Sequence, residues 1–482
     1  MQAIMKTSAS SQAASTGRRR FVRNSTLGAA AFLIVPRHVL GRGYKAPSDK
    51  LNIALIGCGG KGEAHRDTLR GKENFVAFCD VDEVRAADTF RMMPKVPRYK
   101  DFRKMLEDAG DSIDAAIIAT PDHTHAVIAM ACMQLGKHVY VEKPLTHNIW
   151  EARELLLAAR RYNVVTQMGN QGASMDCNRE VVEWVRSGIL GDVTRVHVWT
   201  NRPVWPQGVP TPSGKVEVPA TLDWDLWQGP AAARPYHPAY LPFKWRGWWE
   251  YGTGAFGDMG CHLVDPVYRA LSLTSPTAVE ASATTVWVGD FVEANYADSC
   301  PPSSLVKMDF PERDGMPACE LWWYDGGLRP MRPTELGPDE PFGSWDGGVL
   351  FEGSKGKMMC GIFGENPTLL PTSRMKEVPK PKPWLTRVNK EHQEVWADAC
   401  KGIGEPTSPF EYAVPLTEAL LIGNLAVRCY DVKKLQKGKQ PDSWAPYDYP
   451  GRIRLEWDSA QVRVSNYDEA NAYVKREYRK GW

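Results

Sequence analysis

Residues 51–70 read LNIALIGCGGKGEAHRDTLR. The opening LNIALIG is an apolar run rich in Ile and Leu, the composition of a strand buried on both faces of a parallel sheet. A glycine-rich turn, Gly57-Cys58-Gly59-Gly60-Lys61-Gly62, follows it, and a helix-forming stretch follows the turn. A lone G-x-G-x-x-G carries little weight. This one closes a strand, opens a helix, and precedes a second apolar strand, NFVAFCD at 74–80, that ends in an acid, Asp80. In that context Gly57 permits the tight turn, Gly59 lets the backbone approach a pyrophosphate, and Gly62 allows the helix to pack closely on the strand. Gly60 and Lys61 complete the turn at a helix N-terminus that favours phosphate charge. Asp80 is placed to accept hydrogen bonds from a ribose 2′-OH and to repel a 2′-phosphate, which favours NAD; Arg85 weakens that preference and leaves NADP open.

Working outward, DAAIIAT (114–120), HVYVEKP (138–144) and VVTQMGN (164–170) read as further buried strands. PDHTHAVIAMACMQLG (121–136) is a helix opened by Pro121 and Asp122 and stopped by Gly136, and NIWEARELLLAARRYN (148–163) is another. Strands alternating with helices predict an α/β, doubly wound parallel sheet over residues 46–169. After Asn170 the pattern changes. GDVTRVHVWT contains an alternating strand, a long loop rich in Pro, Trp and Gly spans 201–244, and short strands follow in TAVEASATTVWV, SSLVKMDF, ACELWWYD and GVLFEGSKGKMMCG, the last with a hairpin centre at Gly353–Gly356. These predict an α+β second domain over 170–482 with a large, mostly antiparallel sheet. The polar segment after Lys434 reads as an extension that wraps this domain or a neighbouring subunit.

The totals agree. The chain has 482 residues, enough for two or three domains. A formal net charge of +2 gives no electrostatic case for nucleic acid. Residues 1–45 do not read as part of the fold. Arg18 and Arg19, then Phe21 and a short apolar run from Leu27 to Val35, have the order of a twin-arginine export signal, and the run is too short to span a bilayer. Export to the periplasm is therefore expected. The ten cysteines are scattered without a CxxC pair, so mostly free, buried thiols are expected even in an oxidising compartment.

Residues 256–265, FGDMGCHLVD, hold Asp258 and His262 one helical turn apart, which places both on one face. A metal site built on Asp258, Cys261 and His262 is disfavoured, because adjacent Cys261 and His262 point about 100° apart on a helix. An ordinary capped helix with a satisfied histidine stays open on the spacing alone. Seven of the 18 tryptophans fall between Trp199 and Trp249. Aromatic faces beside charged donors suit sugar rings, and Trp205, Trp245 and Arg246 are the candidates for such a pocket; packing of a loop-rich domain explains the others.

VYVEKPLTHNIWEAREL (139–155), arriving after a G-x-G-x-x-G unit and ATPDHTH, resembles the Gfo/Idh/MocA family of sugar and polyol oxidoreductases. GTGAFGDMGCHLVD (252–265) resembles the family's glycine-rich turn and D-x-x-x-H, and EHQEVWADACKGIGEPTSPFEYAVPLTEAL (391–420) its helix, proline turn and helix. The likeness covers nearly all of the chain beyond the signal. It implies that Lys143 lies beside the nicotinamide and the substrate hydroxyl, with Glu142 and Pro144 shaping the cofactor edge and Asp258 and His262 as the acid and histidine. Thr120, Pro121 and His123 match the loop passing the nicotinamide ribose, with Asp122 where relatives often carry Asn; Asn170 completes the cofactor residues.

Oxidising an alcohol needs a base for the hydroxyl proton while hydride leaves the carbon, and a donor to the oxygen. A near-neutral His262 as base, Lys143 as polariser and Asp258 binding substrate or orienting His262 would supply those parts, with the Lys and His roles exchangeable. The implied function is an NAD(P)-dependent oxidoreductase acting on a sugar, polyol or glycoside hydroxyl, with tightly bound cofactor, no metal, and a homo-oligomer. Redox-neutral hydrolysis, elimination or epimerisation through transient oxidation is the alternative, and a non-catalytic NAD-bound sensor a second.

Overall fold

β1 (Asn52–Ile56) lies inside a six-stranded sheet with β2 (Asn74–Cys79), β3 (Arg98–Tyr99), β4 (Ala115–Ile118), β5 (His138–Val141) and β6 (Thr166–Met168). The order is β3-β2-β1-β4-β5-β6 and every pairing is parallel. The computed structural model describes residues 49–441 and 443–482; the expected export signal lies outside the described residues. Leu51–Trp482 form one compact unit.

The strand order reverses between β1 and β4, and ligands of open α/β sheets bind at such a reversal, outside the carboxyl ends of the strands. Here those ends are the glycine turn after β1, Asp80 after β2, Thr120 after β4 and Glu142–Lys143 after β5. Gly57 has φ +83°, and a Cβ there would stand 2.6 Å from the Ala119 carbonyl oxygen. At Gly62 a Cβ would stand 2.0 Å from the Gly57 carbonyl oxygen, so only glycine lets α1 (Lys61–Leu69) seat on the turn. The helices α2 (Phe102–Ala109), α3 (Asp122–Gln134) and α4 (Ile149–Tyr162) complete the layers. Asn148 caps α4 by accepting the Glu151 N–H at 3.0 Å, and Asn163 ends it in the left-handed conformation at φ 50°.

The second sheet has nine strands. In spatial order they are Thr368–Leu370, Gly356–Cys360, Gly347–Gly353, Val193–Thr200, Cys319–Tyr324, Ser304–Phe310, Ala278–Ala283, Leu455–Asp458 and Arg463–Val464. All pair antiparallel except Val193–Thr200 with Cys319–Tyr324. The expected strand at 277–288 stops at Ala283, and Trp287–Gly289 leaves the sheet for an exposed two-stranded ribbon. α5 (Gly254–Leu263) is clamped between this sheet and α7 (Phe410–Tyr430). Phe256 stacks on Trp323 at 4.6 Å, and a Cβ at Gly423 would meet Phe256 at 2.0 Å. α6 (His392–Cys400) packs beside the first sheet, with Trp396 edge-on to Tyr140.

The segment after Lys434 adds the two edge strands within the same chain and then returns to the first domain. Trp224, Trp227, Trp245 and Trp248 form a small core of their own with Tyr240 and Tyr251. All ten cysteines are free, eight of them buried.

Candidate active site

The carboxyl ends of β1, β2, β4 and β5 and the 224–246 segment enclose one continuous cavity of about 450 Å³. Gly57, Gly59 and Asp80 line it together with Lys143, Arg246 and His262.

The glycine end fits a dinucleotide. A Cβ at Gly59 would meet the Arg85 backbone oxygen at 2.5 Å, so the turn is shaped for a chain without side chains. Lys61 also lines the cavity. The Asp80 carboxylate accepts the N–H groups of Cys58 at 2.7 Å and Asp82 at 2.9 Å, which fixes it in the cavity wall. Burial raises its pKa to about 6. Gly60 sits at φ +57° beneath Arg85, whose guanidinium would meet a Cβ there at 2.5 Å. The turn therefore carries a cation in the cavity lining, which is compatible with phosphate at this end. The side chain of Asn170 is fully buried, and neither of its polar atoms finds a partner among the described residues. It does not line the cavity, so its carboxamide is buried behind the wall.

At the other end Lys143 leaves β5, and its ammonium donates to the Asp258 carboxylate at 3.0 Å and to the Asp258 carbonyl at 2.9 Å. Arg246 donates to the same carboxylate oxygen through Nε at 3.0 Å. Burial would raise the Asp258 pKa, but the two cations outweigh it and hold the carboxyl well below the usual range. The Arg246 guanidinium lies over the Trp245 ring at 4.2 Å and the Phe243 ring at 4.5 Å. Glu142 faces the other way and accepts from His65 at 2.8 Å; His65 in turn meets Gln393 of α6 at 3.0 Å. Burial acts to raise the Glu142 pKa, and the His65 hydrogen bond and charge with Lys61 and Lys143 bring it down to about 2.

Several expectations change here. Asp258 is committed to Lys143 and Arg246 rather than to His262. The His262 imidazole is wedged edge-on against Phe363 at 5.0 Å, and its Nδ1 is buried without a partner among the described residues. Burial and the Lys143 cation press its pKa to about 3, so it is neutral at physiological pH and far from the near-neutral base expected of it. His123, expected on the loop passing the nicotinamide ribose, does not line the cavity. It is buried behind the cavity between the Tyr251 and Trp227 carbonyls, at 3.2 and 2.9 Å, and burial presses its pKa to about 3. Trp205 also stands back from the cavity, bonded to Gln207 at 2.9 Å and edge-on to Phe243, so it supports Arg246 from behind. Thr120, Pro121 and Trp245 line the cavity, as Glu142 does. Cys261 turns into the core toward the Gly257 carbonyl. The Lys143–Pro144 bond is cis.

Asp122 was read from the sequence as a helix opener and a departure from relatives, not as a site residue. It is 2 % exposed, lines the cavity, and accepts the Thr253 hydroxyl at 2.9 Å. Burial raises its pKa to about 7, with Arg246 opposing and Asp258 adding to the rise. Asp122 thus joins Asp80 as a cavity carboxyl that burial raises toward neutrality, and of the two it is the one that stands with Lys143 and Arg246 among its charged neighbours.

Residues 51–170 match the family model "Oxidoreductase family, NAD-binding Rossmann fold" and residues 178–301 match "Oxidoreductase family, C-terminal alpha/beta domain", about half of the chain together. The chain belongs to the Gfo/Idh/MocA oxidoreductase family. Its first domain is an NAD-binding domain. It is 25% identical over 158 residues to myo-inositol 2-dehydrogenase of Thermotoga maritima, covering 32% of this chain and 47% of that protein. It is 24% identical over 230 residues to levoglucosan dehydrogenase of Pseudarthrobacter phenanthrenivorans, covering 45% and 50%. A glycosyl hydrolase family 109 protein of Shewanella baltica is 31% identical over 189 residues, covering 35% and 40%. The chain thus spans about half or less of the length of these curated relatives. Among solved structures, the WlbA dehydrogenase of Bordetella pertussis in complex with NADH and UDP-GlcNAcA superposes with a TM-score of 0.53 at 18% identity, over 80% of this chain and 98% of that one.

Proposed function

We propose that this Gfo/Idh/MocA protein oxidises or reduces a hydroxyl-bearing carbon of a sugar, polyol or glycoside, with NAD held at the glycine turn. The observation that carries the reading is that one cavity is lined both by the glycine turn with Asp80 and by Lys143, Arg246, His262 and Asp122. Bound NAD supplies the acceptor or donor of hydride. The chain supplies the rest. Lys143 has three N–H donors, two of which Asp258 takes, leaving one to hold the reacting oxygen as it gains or loses its proton. Asp258 pins Lys143 and Arg246 side by side. The neutral His262 imidazole offers a hydrogen-bonding atom for a second hydroxyl. Asp122, titrating near neutrality, takes up or returns the proton that accompanies the hydride. Trp245 and Arg246 offer a flat face and a charged edge to a sugar ring.

A second reading is redox-neutral: transient oxidation followed by elimination, hydrolysis or epimerisation. The 31% identity to a glycosyl hydrolase family 109 protein supports it. An assay of the purified protein on a panel of sugars, polyols and aryl glycosides separates the two. Substrate-dependent growth of reduced-nicotinamide absorbance supports the first, and glycoside cleavage without net NADH supports the second. No change in either signal with every substrate would leave the sensor reading and overturn both.

We propose further that the twin-arginine segment exports the folded protein with its cofactor aboard, and that it works as a homo-oligomer. Arg18→Lys with Arg19→Lys should hold the protein in the cytoplasm on fractionation; sedimentation at the mass of one chain would refute the oligomer.

A further inference from the structure

The segment after Val474 crosses from the second sheet back to the first domain. Arg476 pairs with the buried Glu151 at 3.0 Å and donates to the His123 carbonyl. The Tyr478 hydroxyl donates to the same Glu151 at 2.8 Å. Arg479 donates to the carbonyls of Asp225 and Gly229 and pairs with the Asp225 carboxylate. The chain then runs past α2, where Arg103 donates to the Gly481 carbonyl at 3.2 Å and lies over the Trp482 ring at 4.4 Å. The Phe102 ring is 6.1 Å from the Trp482 ring. Trp482 and Phe102 both line the cavity that holds the glycine turn.

Which end of the cavity this is follows from the sheet. Phe102 comes directly after β3, and the Tyr99 carbonyl at the end of β3 accepts the Asp80 N–H at 3.0 Å. Trp482 therefore stands at the Asp80 end. In a fold of this type the acid after the second strand marks the ribose of the adenosine half. Phe102 stands beside Trp482, and Ile128 and Leu226 line the same cavity, apolar groups of the kind that take a flat ring with a polar edge.

We propose that residues 474–482 are a strap closing the Asp80 end of the cofactor cavity, and that Trp482 is the aromatic wall for the adenosine half of the bound dinucleotide. The inference rests on the NAD reading of the cavity and adds a reason for slow exchange. The indole presents a π-face, Arg103 holds its plane by a cation–π contact, and the strap is anchored at Glu151, whose side chain is 1% exposed. Cofactor release then requires the strap to lift, and lifting exposes a buried ion pair.

The test uses the full chain, freed of nucleotide, with ADP-ribose and NADH as probes in calorimetry and stopped-flow release. Trp482→Ala should weaken both probes to a similar degree, roughly tenfold, as expected for losing one base–aromatic stack. Trp482→Phe should restore most of the affinity. Arg479→Ala, which removes the ties to Asp225 and Gly229 and the guanidinium 5.7 Å from the Trp482 ring, should speed NADH release. Wild-type affinity and release rate in Trp482→Ala would overturn the strap while leaving the NAD reading intact. Loss of the nucleotide-free unfolding midpoint in Trp482→Ala, unrescued by Phe, would make Trp482 a packing residue and also overturn it. Failure of the wild-type protein to bind either probe would overturn the NAD reading itself, and the strap with it.

Discussion

Lys143 is held at three levels at once: by β5 behind it, by two contacts to Asp258, and by the Arg246 guanidinium sharing that carboxylate. Replacing it with Ala removes a positioned donor to the reacting oxygen, so turnover should fall by about 10²–10³-fold, the size of losing one oxyanion donor. NADH affinity should stay within a few-fold, because the glycine end is untouched; a parallel collapse of cofactor binding would move Lys143 out of the proposed role. Asp258→Asn is a different experiment. It leaves two cations facing a neutral amide inside the cavity, and should cost about 3 kcal/mol of unfolding free energy as well as activity. Denaturant midpoints of wild type and variant measure this. The sequence singled out Lys143 and Asp258 by the motifs they sit in and Arg246 by its tryptophan-rich loop, and the fold brings the three together. Asp122 was not legible as a site residue, since its pKa is set by burial beside Asp258 and Arg246, which lie more than 120 positions along the chain. The same blindness explains His262: a spacing of four shows a shared helical face but not that burial and the Lys143 cation press the pKa of the ring down.

The elements were read well where a residue type forces the local backbone. The strand, glycine turn and helix over 51–70 follow from Gly57 and Gly62, and the boundaries of α4 follow from Asn148 and Asn163. Gly62→Ala tests that logic. Its methyl group would press on the Gly57 carbonyl, lifting α1 from the turn, so we expect a loss of about 1–3 kcal/mol in stability together with weakened NADH binding. An unchanged midpoint and unchanged affinity would mean that the helix seats elsewhere. The long-range ties between elements left no trace in the sequence. His65 of α1 joins Glu142 after β5 to Gln393 of α6, residues separated by 77 and 328 positions. His65→Ala should strand a buried carboxylate and cost about 3 kcal/mol, with Gln as a partial rescue. The tryptophan loop was misjudged at Trp205 for a related reason: aromatic composition does not tell a pocket wall from the residue bracing it.

At the scale of the whole molecule, the cavity joins two domains whose buried ionisable groups give stability opposite dependences on pH. Asp122 holds its proton up to about pH 7 in the folded chain, against 3.8 as its ordinary value. Between those limits the folded state binds a proton that the unfolded chain has lost. Its contribution is thus fully present below pH 3.8 and is lost as pH rises toward 7. His262 behaves in the reverse sense. Its ordinary value of 6.5 falls to about 3 on folding, so the unfolded chain binds the extra proton in that interval, and stability is lost as pH falls from 6.5 toward 3. Other buried groups contribute to both trends, so the wild-type curve alone does not isolate either residue, but differences against variants do. The unfolding free energy of Asp122→Asn, whose amide still accepts from Thr253, should gain on wild type as pH rises from 4 to 7, by up to about 4 kcal/mol, and the gain should be flat above that. His262→Gln should gain on wild type as pH falls from 6.5 toward 3. Urea midpoints taken across pH 4–8 measure both differences. A flat Asp122→Asn difference through that window would show that the carboxyl is ionised in the folded chain, and the proton acceptor of the proposed reaction would then have to be sought at His262 or Lys143.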